Sequence, residues 1–173
     1  MDPRPIENEY APYYARYVSL VPETDVIEVL DRQLAEVSAC IAAVPAERET
    51  FAYLPGKWSI REIFGHLADA ERVFGYRAFC IARGDQTPLP SFDENEYAAR
   101  SDAGRRSLAD IGAEFALVRR ANLVFLRRVD DAGWRRMGTA SGKLVSVRAL
   151  AYVMAGHVRH HLSVLEARYG VRA

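Results

Sequence analysis

Two histidines stand where a bundle core would ordinarily place leucine. His157 and His161 lie four residues apart in the run from Gly156 to Gly170. On a helix that spacing stacks two side chains on one face, a turn apart. Together with Leu150, Met154 and Leu165 they make a stripe of three- and four-residue steps, the pattern that a bundle helix turns inward. The segment must therefore bury two imidazoles. An unpartnered buried polar group costs about 1–3 kcal/mol, and two charged rings one turn apart would repel. Either each ring is hydrogen-bonded within the core, or both nitrogens bind one divalent ion, which takes the neutral form.

The rest of the chain supplies partners for that helix. A first helix is expected from about Asp25 to Val44, with Val26, Ile27, Leu30, Leu34, Val37 and Ile41 in helical period; Asp25 and Glu28 resemble a capping box and Pro45 ends it. Ser59 with Glu62 is a capping box for a second helix running to Arg83, with Trp58 and Ile63 placed for a hydrophobic staple. Its inward line is Ile63, His66, Ala70, Val73 and Arg77. A third helix spans Ser107 to Val129, with Leu108, Ile111, Phe115, Val118, Asn122 and Phe125 inward. The fourth begins at the N-cap Ser146 and ends before Gly170. Four long helices without a convincing strand predict an all-α four-helix bundle over residues 23–170. Residues 1–22, with four prolines and four tyrosines, form an arm or short helix anchored on the bundle by those tyrosines. The long connection 84–106 between helices two and three holds a helical turn near Asp93–Arg100, and 130–145 is a loop with room for a brief hairpin. Connections of that length inside a compact domain often carry function.

Composition narrows the function. The 173 residues carry 23 basic and 23 acidic side chains, with no basic block, so a nucleic-acid partner is not implied. No apolar run is long enough to span a membrane. The polar, proline-containing N-terminus reads as neither a signal nor a transit peptide, which predicts a cytoplasmic protein. Cys40 and Cys80 fall in helical patterns far apart and read as reduced core thiols.

The chemistry gathers at the histidines. His66 adds a third inward imidazole from a facing helix. Three neutral imidazoles suit zinc, nickel or another late first-row divalent ion, and a three-ligand set leaves a position open, the mark of a catalytic site. The zinc-protease version of His-x-x-x-His carries Glu after its first histidine; here that residue is Val158. His160 lies about 80° around the helix from the midline of the pair and reads as a rim residue. Asp69 and Glu62 lie within about 60° of His66, so either could orient its ring. Arg77, on the His66 line, suggests an anionic substrate group or an ion pair with a core-edge carboxylate. Asn122, polar on an apolar face, is a substrate contact or a residue that specifies the bundle.

The run Lys57-Trp58-Ser59-Ile60-Arg61-Glu62-Ile63-Phe64-Gly65-His66-Leu67-Ala68-Asp69 and the run Gly156-His157-Val158-Arg159-His160-His161-Leu162 resemble the second-helix and last-helix motifs of the DinB superfamily, a likeness that extends from about residue 20 to 170. The resemblance implies a four-helix bundle, often a homodimer, with one divalent metal ion on three histidines; by motif position these are His66, His157 and His161. It also implies thiol-dependent S-transferase or isomerase chemistry on a small molecule, with a low-molecular-weight thiol as co-substrate. The family's last-helix motif often has Glu where this chain has Val158. Three functions follow as expectations: thiol S-transfer or thiol-assisted isomerisation, hydrolysis by a metal-activated water, and storage or sensing of a small ligand or metal without turnover.

Overall fold

Each long helix begins at a side-chain cap that the sequence provides. Asp25 accepts from the Glu28 N–H at 3.1 Å, Ser107 from Asp110 at 3.1 Å, and Ser146 from Ala149 at 3.0 Å. Ser59 and Glu62 make the reciprocal box: the Ser59 N–H donates to Glu62 Oε2 at 2.7 Å and the Glu62 N–H to Ser59 Oγ at 3.3 Å. Gly170, at φ 64°, closes the last helix in the left-handed region that favours glycine.

The structure is a computed structural model that describes residues 4–172; Met1, Asp2 and Pro3 of the expected arm lie outside the described residues. In order the elements are α1 (Ala15–Val18), α2 (Val26–Ala42), α3 (Ile60–Ala82), α4 (Glu94–Arg100), α5 (Leu108–Leu126), α6 (Asp131–Arg135), β1 (Met137–Ala140), β2 (Lys143–Ser146) and α7 (Val147–Tyr169). The bundle is α2, α3, α5 and α7, in which α3 and α2 each pack against both α5 and α7. The expected helical turn at 93–100 is α4. The segment 130–145 holds more order than a loop: α6 buries Trp134, and β1 pairs antiparallel with β2 across Ser141 and Gly142. Both turn residues have positive φ, 53° and 69°, as a two-residue type I′ hairpin turn requires. Leu89, from the α3–α4 connection, joins the hairpin: its N–H donates to the Thr139 carbonyl and its carbonyl accepts from the Ser141 N–H.

Two apolar clusters fill the bundle. One centres on Leu30, Phe74, Leu123, Leu126, Leu150 and Met154, the other on Ile60, Phe64, Leu67, Ile111, Phe115 and Leu165. Each such side chain contributes about 1.5–3 kcal/mol by leaving water. Apart from the half-buried Arg148, the first half of α7 is buried from Val147 to Val158, because α1 and the hairpin cover the face that the bundle leaves open.

The arm is built into this packing. Glu9 accepts from Ser146 Oγ at 2.7 Å and from Arg148 Nε at 2.6 Å. Tyr17, Val18 and Val21 belong to the first apolar cluster. At the crossing of α1 and α7 the helices touch through Gly156, where a Cβ would stand 2.0 Å from the Tyr17 carbonyl oxygen. Backbone cannot yield there as a flexible side chain can. Gly156→Ala should therefore cost about 1–3 kcal/mol, while Gly104→Ala, with nothing within 4 Å of the new methyl, should be neutral. Urea denaturation of the two variants checks this, and equal midpoints would remove the close crossing from the account.

Candidate metal centre

The capping box fixes where α3 starts, and so where His66 points. From α7 come His157 and His161, a turn apart. Their ring centroids lie 4.8 Å (His66–His157), 4.9 Å (His66–His161) and 4.5 Å (His157–His161) apart. His157 Nε2 lies 2.9 Å from His66 Nε2 and 3.1 Å from His161 Nε2. Tetrahedral ligands 2.0–2.1 Å from a zinc ion stand roughly 3.3 Å from one another, so these separations are close to those of a filled site.

The protonation states agree. Burial, with a smaller contribution from neighbouring imidazoles, pushes the His66 pKa down to about 4 and that of His161 to about 2. Burial, then His161 and His66, also holds His157 well below the ordinary histidine range. All three rings are neutral at pH 7, the form a metal takes. A metal-facing Nε2 puts the proton on Nδ1, and His66 Nδ1 is buried without a hydrogen-bond partner. An ion on Nε2 gives that atom no partner, so the unpaired N–H is a cost that the metal–nitrogen bonds would have to outweigh. Among the described residues this trio is the one group of histidine, cysteine and carboxylate side chains arranged to hold an ion.

Aromatic rings enclose the trio. Trp58 lies over His66 with centroids 4.7 Å apart, and Tyr17 and Phe74 stand edge-on to His157 at 5.3 and 5.8 Å. Beyond them opens a cavity of 470 Å³, reaching the three histidines at one end and Arg77, Ser141 and Phe92 at the other. That volume falls within the range of small-molecule sites.

The structure separates the residues singled out from sequence. His160 lines the cavity beside Tyr17, with ring centroids 5.6 Å apart, and burial lowers its pKa. Arg77 also lines it. Asp69 does not reach His66: it lines a separate cleft with Arg106 and Glu114, because the turn of α3 carries it towards α4 and α5. Glu62 is held by its own cap, Oε2 accepting from Ser59 N–H and Oγ. Asn122 is not a cavity residue. Its amide donates to the Glu71 carbonyl and carboxylate at 3.2 and 2.8 Å, inside a polar network in the core. Val158 is buried in the second apolar cluster, so this position offers the site no carboxylate. Sequence reasoning passed over the cavity walls formed by Tyr14, Tyr17, Phe74, Phe92, Ser141 and Lys143. The tyrosine-rich arm was the available signal for the first two.

A family profile described as the DinB superfamily matches residues 24–165. No curated protein sequence matches the chain. Two solved structures share its fold. YfiT from Bacillus subtilis, described as a probable metal-dependent hydrolase with an unusual four-helix bundle topology, superposes with a TM-score of 0.75 at 18% identity, covering 97% of this chain and 94% of that one. The mycothiol-dependent maleylpyruvate isomerase superposes with a TM-score of 0.67 at 16% identity over 83% of this chain, which spans 60% of that longer protein. No helix among the described residues is long and apolar enough to cross a membrane.

Proposed function

This chain belongs to the DinB superfamily, and from that premise we propose that it is a divalent-metal-dependent enzyme using an external low-molecular-weight thiol for S-transfer to, or isomerisation of, a small molecule. The observation that carries the reading is the convergence of three neutral Nε2 atoms on the floor of a substrate-sized cavity. His66, His157 and His161 would hold the ion, zinc or nickel by the preference of imidazole donors. Such an ion supplies a Lewis acid that lowers the pKa of a thiol or a water molecule.

The chain's own groups account for the rest. Its cysteines are unsuited to attack: both are buried, and burial pushes the Cys40 thiol up to about 11, so the nucleophile comes from outside. His160 is an unprotonated base on the cavity wall and can accept the thiol proton. Tyr17, Trp58 and Phe74 keep bulk water from the histidines. Hydrolysis is the second reading, favoured by the description of YfiT, whose fold matches nearly the whole chain.

The test uses untagged protein. Metal analysis should find about one divalent ion per chain, lost in His66→Ala, His157→Ala and His161→Ala and kept in His160→Ala. Metal-loaded protein should accelerate capture of monochlorobimane by one of glutathione, mycothiol or bacillithiol, and His161→Ala should abolish this. Full occupancy in all three single variants would refute the ligand set. Turnover of simple esters without any thiol reaction would favour hydrolysis, and neither activity would leave a binding protein.

A further inference from the structure

Among the described residues two arginines, Arg77 and Arg119, are fully buried, and Arg119 alone of the two is paired there with a carboxylate. Arg119 donates twice to the Glu71 carboxylate, each bond 2.8 Å. Arg77, 2% exposed, pairs with no carboxylate among the described residues. Its Nη2 donates to the Pro90 carbonyl at 2.6 Å and to Ser141 Oγ at 2.9 Å, and the Tyr14 hydroxyl also bonds to it. These partners are neutral. A buried guanidinium held by neutral dipoles keeps its charge uncompensated, a cost that an arriving anion relieves. Arg77 lines the cavity that leads to the three histidines, and the same walls carry Arg16 and Lys143 against the single carboxylate of Glu94.

We propose that the Arg77 end of this cavity is an anion subsite, and that the substrate or co-substrate carries a carboxylate on an apolar or aromatic body. The apolar body follows from the walls. Phe74 and Phe92 flank the guanidinium, their ring centroids 6.0 and 5.8 Å from its Cζ. Phe74 is also 5.8 Å from the His157 ring, so one phenylalanine separates the subsite from the histidines. A ligand anchored at Arg77 need only reach past that ring to place its reactive end beside His157 and His161. The hairpin has a role here that the bundle cannot fill: its two-residue turn holds Ser141 over Arg77 and fixes the fork's orientation. Arginine suits the task because its planar fork meets a carboxylate bidentately.

This deepens the enzyme reading and rests on it for its meaning, but its test does not depend on metal or turnover. Chelator-treated protein is titrated with phenylpropionate and with the isosteric phenylpropionamide, followed by calorimetry and by tryptophan fluorescence, Trp58 being the tryptophan on the cavity wall. The acid should bind about tenfold more tightly than the amide, the difference one charge-assisted bidentate contact makes. Arg77→Met should erase that preference, and Arg77→Lys should retain part of it. Equal affinities for acid and amide in the unaltered protein would overturn the proposal, as would a preference that survives in folded Arg77→Met. If Arg77→Met does not fold, the acid–amide ratio of Arg77→Lys decides, and a ratio unchanged from that of the unaltered protein would count against it. Loss of metal binding without loss of acid preference would sink the metal reading alone.

Discussion

Replacing Glu71 with alanine should lower the unfolding free energy by about 3–5 kcal/mol, the cost of leaving a buried charge without its partner. The partner is Arg119, 0% exposed, which bonds both Glu71 oxygens through Nε and Nη2 while Nη1 donates to the Leu30 carbonyl and Gln33 Oε1 at 3.0 Å each. Gln33 Nε2 then donates to the Ala155 carbonyl at 2.8 Å, and Asn122 bonds Glu71 from the other side. One network thus ties α2, α3, α5 and α7, with each of these donors directed at an acceptor. Removing the carboxylate leaves the guanidinium without a counter-ion, holding only the Leu30 and Gln33 oxygens, and leaves the Asn122 amide only the Glu71 carbonyl. Glu71→Leu combined with Arg119→Met removes both charges and should recover a good part of the loss, because an apolar pair needs no compensation. Urea unfolding of the two singles and the double forms the cycle. A Glu71→Ala cost under about 1 kcal/mol would mean that water takes over the carboxylate's bonds.

That network marks the limit of what the chain's pattern makes legible. The caps at Asp25, Ser59, Ser107 and Ser146 and the glycine after Tyr169 bound all four long helices to within a few residues, because capping is local chemistry. The apolar line of α5 reads correctly through Leu108, Ile111 and Phe115. It then departs from expectation: Val118 and Asn122 are only half-buried, and the core line runs through Arg119 and Leu123. An arginine is discounted when the inward face is sought, and what permits its burial is a carboxylate 48 residues away in sequence. Glu71 escaped notice for the same reason. Asn122 bonds within this network and not at the cavity wall.

The histidines were legible for a different reason. Periodicity alone places His66, His157 and His161 on inward lines, and the structure brings their nitrogens together. Angles about one helix could not rank the groups around them. Asp69 and Glu62 lie within reach of His66 by angle, yet one turns to a separate cleft and the other is spent on its cap. The walls of the cavity come from the arm, the α3–α4 connection and the hairpin, where no hydrophobic period announces which side chains face inward. The hairpin was foreseen only as a possibility within a loop, because its strands are four residues each and weakly alternating.

Metal-free protein should lose about 4 kcal/mol of stability when the pH falls from about 7 to about 5.5, through the three histidines alone. The sign follows from where each state binds protons. In the unfolded chain all three titrate near the ordinary value of about 6.5. In the folded chain burial keeps His66 neutral to about pH 4 and His161 to about pH 2, and holds His157 well below its ordinary value. Below about pH 6.5 the unfolded state therefore carries up to three more protons, and stability falls with pH at close to 1.4 kcal/mol per pH unit for each ring. The stabilising carboxylates do not obscure this window. Arg159 holds the Glu23 pKa down to about 2 and Arg148 with Ser146 lowers that of Glu9, so their contributions are lost only at lower pH, once the unfolded chain begins to take up carboxylate protons. The raised pKa of Asp69, caused first by burial, acts in the opposite direction. A bound divalent ion adds a nearly constant increment in this window, because the folded rings are already neutral without it and the unfolded chain takes up the same protons. Zinc-saturated protein should be more stable throughout but fall with the same slope across this range, and fall more steeply only at the lower pH where protons displace the ion. Denaturant midpoints measured every half unit, with and without zinc, give the two curves. Replacing His66 with leucine should remove about a third of the metal-free slope. A metal-free curve flat between about pH 7 and about pH 5.5 would show that the rings exchange protons freely with water, and that the trio is not the buried neutral cluster argued above.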